Sequence, residues 1–228
     1  MSRKCIAIAI GCALAAVAAG AGGCQGFAWL VTQFQPPQKV KAKYTPPAGK
    51  RVLVFVDDVV APVTYEPIKR ELSERISSKL VEHRLVAETV PYDVLMKAIS
   101  EDRGFNINDL GKAGVKQIGD KVGADLVLYV EIKSFRLKED ESSPLWGGRL
   151  ETAVRWVDCH QDTNETARLW PTDGSSGFDL PAVGMPAKED PSASYGTELA
   201  KILAERAADR IVKLFYDYEV AAQEGPEE

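Results

Sequence analysis

The sequence predicts an α/β protein: a single domain with a mixed sheet of about five strands, helices on its faces and a long C-terminal helix. Three observations carry this expectation. Short β-branched runs alternate with segments of helical periodicity from Lys50 onward. One run, "RVLVFVDD" at 51–58, is apolar on both faces, as a central strand covered on each side must be. The last long segment carries apolar residues on one helical face and charges on the other.

Taken in order, the first strand leads into "YEPIKRELSERISSKLVEH", where Ile68, Leu72, Ile76 and Leu80 recur every fourth residue. Pro67 suits the first turn of that helix, where its missing N–H breaks no bond. A second strand is predicted over 84–90, "RLVAETV", and a helix from Pro91 through "PYDVLMKAISED". Residues 108–123 place Leu110, Val115, Ile118 and Val122 at near-helical spacing, and Gly123 stands where a helix stops. The longest strand follows, "ADLVLYVEIKSFRL", with Leu126, Leu128, Val130 and Ile132 on one face and Tyr129, Glu131 and Lys133 on the other.

A charged loop, "KEDESSPLWGG", turns the chain into a strand over 149–159. There Leu150, Thr152, Val154 and Trp156 alternate with Glu151, Ala153 and Arg155, which predicts one wet face. "ETARLWP" reads as its hairpin partner through the polar turn "HQDTN". Residues 172–190, rich in Gly, Pro and Asp, read as a surface loop. The terminal helix is expected from Ser192 to Tyr218, about 40 Å long, with Leu199, Ile202, Leu203, Ile211, Leu214 and Phe215 on its apolar face. The domain is bounded at 50–218, followed by an acidic tail, 219–228, expected to be frayed.

Ahead of the domain, Arg3 and Lys4 precede an apolar run from Cys5 to Ala19 and small residues up to Cys24, the three-part layout of a secretory signal over 1–23. The run Ala21, Gly22, Gly23, Cys24 resembles a bacterial lipobox, with Ala21 where leucine is favoured. That resemblance implies cleavage before Cys24 and lipidation of its thiol. Cys12 is a weaker candidate, since the apolar segment before it is too short. The alternative is one uncleaved transmembrane helix from Cys5 to about Thr32, since roughly 20 apolar residues span a bilayer. Its many Ala and Gly residues insert less well than Leu, Ile or Phe.

Either way the chain is tethered to a membrane. Residues 24–49 then form a lipid-anchored linker rich in proline and lysine. In its first part Phe27, Trp29, Leu30, Val31 and Phe34 suit the membrane interface or a place packed on the domain. Gln25 after the acylated cysteine implies, by enterobacterial sorting, the periplasmic face of the outer membrane.

Composition narrows the function. Removing 1–23 leaves 26 basic against 33 acidic residues, a formal balance of −7, with no basic stripe interleaved with aromatics, so no nucleic-acid partner is expected. Cys159 stands alone in the mature chain, which excludes an internal disulfide.

The order strand, helix, strand, helices, meander, long helix resembles the domain shared by bacterial envelope lipoproteins of the curli-secretion-channel type, the amino-terminal domain of the Tol-Pal propeller protein and lipoprotein activators of penicillin-binding proteins. The resemblance rests on "RVLVFVDD", "KQIGDKVGADLVLYVEIKSF" and "AVRWVDCHQDTNETARLW" and covers roughly 50–218. It implies a non-catalytic binding or assembly module with envelope proteins as partners. A subunit of a secretion or transport complex is the alternative, although no insertion beyond the loop at 137–149 supplies the long hairpins of a channel.

Asp57 and Asp58 end the first strand, where open α/β sheets bind ligands, and form the basis of a carboxylate-dependent enzyme as a further alternative. No Gly-rich phosphate loop accompanies them, and no catalysis is expected. Asp158, Cys159, His160 and Asp162 are metal-capable residue types, yet neighbours on a strand point to opposite faces, so neither metal nor cofactor is expected. Aromatic residues cluster in and beside the meander: Trp146, Trp156, Trp170, Phe178 and Tyr195. Trp156 belongs on the apolar face and in the core. Trp146 and Phe178, in predicted loops, are the candidate partner contacts.

Overall fold

The computed structural model describes residues 38–58, 65, 67–101, 115–138, 142–161, 163–189 and 194–220. In chain order its elements are β1 (Gln38–Val40), β2 (Arg51–Asp57), α1 (Pro67–Glu82), β3 (Glu88–Thr89), α2 (Tyr92–Glu101), α3 (Val115–Lys121), β4 (Leu126–Lys138), β5 (Leu145–Asp158), α4 (Asn164–Ala167), β6 (Arg168–Trp170), β7 (Phe178–Asp179), β8 (Val183–Gly184), β9 (Lys188–Glu189), α5 (Tyr195–Lys213) and β10 (Tyr218–Val220). Two units result. In one, β1 and β10 pair antiparallel, with Lys39 opposite Glu219. The other, Lys41–Asp217, is the α/β unit and holds every remaining element.

Its sheet runs β3-β2-β4-β5-β6, with β7, β8 and β9 also bonded to β5. β2 is parallel to β3 and to β4, whereas β5 is antiparallel to β4. The mixture follows from the connections: helices carry the chain between parallel neighbours, and the short turn after β4 permits only an antiparallel return.

Strand alternation sends one set of side chains to each face. Val52, Val54 and Val56 of β2, Leu126, Leu128, Val130 and Ile132 of β4, and Leu150, Val154 and Trp156 of β5 pack beneath α1 and α5 in the larger core. Leu53, Phe55, Val127, Tyr129, Val157 and Cys159 point the other way, onto Leu95 of α2 and Val115, Ile118 and Val122. The expected positions Ile68, Leu72, Ile76 and Leu80 of α1 are all fully buried, and Pro67 is its first residue.

Elsewhere the structure corrects the expectations. Only Glu88 and Thr89 form a strand within 84–90. The preceding residues close α1 instead: Arg84 N–H donates to Val81 O and Leu85 N–H to Leu80 O, both at 2.9 Å. That pair of bonds is a Schellman ending, and it holds Arg84 at φ 56°, so the chain becomes extended only afterwards. β5 begins at Leu145, four residues early, because β9 pairs with Leu145 and Trp146. The expected loop over 172–190 contains three two-residue strands laid along β5. Leu110 lies outside the described residues.

α5 has 19 residues and is therefore about 28 Å long rather than 40. It ends at Lys213 because the incoming segment takes its last carbonyl: Lys43 and Tyr44 N–H groups both donate to Leu214 O, at 2.7 and 3.2 Å. Ile202, expected on the buried face, is 40% exposed. Ala200, Ala204, Ala207 and Ala208 line the buried side along with Leu199, Leu203 and Ile211, and these small side chains let α5 approach its neighbours closely. Across the seam Lys79 Nζ contacts Glu205 and Asp209, each at 2.6 Å, and Arg75 contacts Glu205 at 3.3 Å.

Candidate functional site

The ends of β2 and β4 and the facing part of β5 bring polar side chains onto the second face of the sheet. The register opposes Phe55 to Tyr129, Asp57 to Glu131, and Tyr129 to Arg155. Tyr129 Oη donates to Asp57 Oδ2 at 2.5 Å, and the Arg155 guanidinium lies 4.0 Å from the Tyr129 ring centroid. Arg155 Nη1 also donates to Ser176 O at 3.3 Å. Burial, then the bond to Asp57, pushes the Tyr129 hydroxyl well above its ordinary value, so it stays a donor. Burial lowers the Arg155 guanidinium. A cation stacked on a ring whose hydroxyl feeds a buried carboxylate is an arrangement that satisfies each member. It presents no activated nucleophile.

Asp57 and Asp58 point to opposite sides. Asp57 is 6% exposed on the Tyr129 side, while Asp58 turns toward α1 and meets Lys69 Nζ at 3.2 Å. Successive residues of an extended chain point to opposite faces, and here both directions are occupied.

The turn after β5 separates its residues in the same way. Cys159 is 1% exposed and pressed against Gly119, where any side chain would overlap its sulfur. Burial pushes its thiol up to about 12. His160 points outward and its Nε2 lies 3.0 Å from Asp125 Oδ1. Asp125 Oδ2 accepts the Arg51 N–H at 2.9 Å, and these two bonds, that of His160 foremost, hold its carboxyl below the usual range. No group of three metal-ligating side chains occurs among the described residues; Asp162 lies outside them.

Trp146 and Phe178 lie on strands rather than in loops, both half-buried. Trp146 meets Tyr195 edge-on at 6.3 Å, carries Lys138 Nζ 4.4 Å from its ring centroid, and closes over Gly196, where a Cβ would lie 2.7 Å from the indole. Beside it Leu145 is 38% exposed. Phe178 packs at 5.0 Å on Trp170, in a cluster with Tyr44, Trp156 and Phe215. Because Phe178 pairs with Val154, the two candidates are separated by eight positions of β5, about 26 Å, and form two patches. No pattern in the sequence singles out Tyr44, although it is the one aromatic residue between Gln35 and Lys50.

Cys24 lies outside the described residues. Among the described residues no helix is long and apolar enough to cross a membrane.

No protein-family model and no curated protein matches the chain. Among solved structures it is similar to the lipoprotein GNA1162 from Neisseria meningitidis, with 14% identity over 72% of this chain and 99% of that one and a TM-score of 0.40. It is also similar to PelC, a dodecamer from Paraburkholderia phytofirmans (12% identity, 77% and 96% covered, TM-score 0.33), and to the hypothetical protein CT253 from Chlamydia trachomatis (14%, 73% and 94%, 0.33). Likeness at this level concerns general layout alone and says nothing of role.

Proposed function

We propose that the chain is a lipoprotein held at a bacterial envelope membrane through acyl chains on Cys24, and that its α/β unit is a non-catalytic binding and assembly module. The observation that carries this reading is the amino-terminal sequence: two basic residues, an apolar run and small residues ending at Cys24. The groups best suited to catalysis support it by their engagements. Tyr129 holds Asp57, Lys69 holds Asp58, Gly119 seals Cys159 and Asp125 holds His160. In this reading the aromatic patches of β5 recognise envelope proteins, one at Leu145 and Trp146 and the other at Phe178.

Intact mass of the protein from native membranes tests the reading. The expected species begins at Cys24 and carries fatty acyl chains; a species beginning at Met1 without acyl groups refutes it.

A further inference from the structure

The chain enters the α/β unit at a fixed place. Ala42 N–H donates to Asp217 Oδ1 at 2.9 Å, Lys43 and Tyr44 donate to Leu214 O, and the Tyr44 ring stacks on Trp170 at 5.9 Å. The α/β unit therefore begins, at Lys41, beside the C-terminal end of α5. The end of α1 lies there too. The ion pairs Arg75 with Glu205 and Lys79 with Asp209 run the two helices in the same direction, and His83 stacks on Tyr216 at 4.1 Å.

This end of the unit is rich in cations. Lys41, Lys43 and Arg84 are exposed, Lys213 is half-buried, and Val81 adds an apolar side chain that is 43% exposed. Among the described residues of the same segments Glu82 is exposed and Asp217 already accepts the Ala42 N–H. A local excess of positive charge thus stands on a chain whose formal net charge is −5.

Arg84 marks the site independently. It occupies the left-handed position of the Schellman ending of α1, where glycine is favoured. α3 closes through the same two bonds, Gly123 N–H to Asp120 O and Ala124 N–H to Gly119 O, with glycine at the equivalent place. An exposed cation is kept in α1 at a position where glycine would relieve the backbone.

We propose that this end of the α/β unit is a membrane-docking surface that binds anionic phospholipid headgroups, with Lys41, Lys43 and Arg84 as the contacts. The proposal rests on the membrane-tethered reading given above. Cys24 is 17 residues before Lys41, so the anchor holds this end within at most about 60 Å of the bilayer. Attraction to an anionic surface fades within roughly 10 Å, so the cations act only once they touch it. Docking here turns the N-terminal end of α5, with Trp146, away from the membrane.

The full chain, as isolated from membranes, is reconstituted into phosphatidylethanolamine vesicles with and without phosphatidylglycerol. Lysine acylation rates are then read by mass spectrometry, with Lys97 and Lys201 as exposed controls on other surfaces. Lys41 and Lys43 should be protected about fivefold in the anionic vesicles, the controls should be unchanged, and high salt should remove the difference. Arg84→Gly, which relieves the backbone and so keeps the fold, should reduce the protection of both lysines, and R84E should abolish it. Equal labelling in the two vesicle types overturns the proposal, as does protection that Arg84 variants leave intact or that arises only when an envelope protein extract is added. Intact mass of the same sample reports acylation of Cys24 separately, so a failed anchor and a failed docking surface are told apart.

Discussion

The two faces of the sheet are built from the same strands and differ in what covers them. Beneath α1 and α5 the inward positions of β2, β4 and β5 are almost all aliphatic or aromatic, and Trp156 is fully buried among them. On the opposite face α2 and α3 pack on one end of the strands, while the other end carries Asp57, Tyr129, Glu131, Lys133 and Arg155. Burial of apolar area, at roughly 25 cal/mol per Å², concentrates stability on the first face. The polar end of the second face is held by directional contacts, each worth on the order of 1 kcal/mol. Substitutions there disturb geometry more than stability.

Removing Trp156 is the severest way to break this contrast. Trp156→Ala leaves a cavity under α5 against Phe215 and Tyr44 and should cost about 3–5 kcal/mol in urea unfolding. Trp156→Phe should cost less than half of that, because the indole N–H has no acceptor among the described residues and only volume is lost.

Tyr129→Phe probes the polar face and should cost about 1–2 kcal/mol at neutral pH, since Asp57 loses a buried donor. The sign of its pH dependence follows from the raised hydroxyl. The unfolded chain ionises near pH 10 and the folded chain above it, so Tyr129 contributes stability in full below about pH 10 and loses it as pH rises further. The gap between wild type and Tyr129→Phe should therefore hold steady up to about pH 9 and narrow above about pH 10. A constant gap would mean that the bond to Asp57 is not what burial protects.

Smallest is the rim. Lys133 and Asp179 pair at 3.1 Å with side chains 38% and 71% exposed, and Asp179→Asn should move stability by no more than about 0.5 kcal/mol.

Much of the first face was legible in the sequence, because its elements declare themselves locally. The fourfold spacing from Ile68 to Leu80 and the twofold alternation from Leu126 to Ile132 each fix a type and a buried side. The stretch 84–87 has the composition of a strand, and nothing in "RLVA" signals a left-handed arginine. β7, β8 and β9 were invisible for a different reason: two-residue strands have no period, and only the free edge of β5 calls them into being. The polar site was hidden by distance along the chain. Asp57 and Tyr129 are 72 residues apart and meet through strand register. Tyr44 sat in a segment whose prolines and lysines suggested solvent, yet the carbonyl at the end of α5 gave that segment a place to bind.

The outer margin of β5 is filled in pieces by β6, β7, β8 and β9, none longer than three residues, with Pro171, Pro181 and Pro186 in the intervals. A 14-residue strand left open there would invite a foreign chain to knit on, and fibres grow by such additions. The patchwork offers an intruder no stretch long enough to zip against. Molecules crowded side by side can jostle along this flank without polymerising.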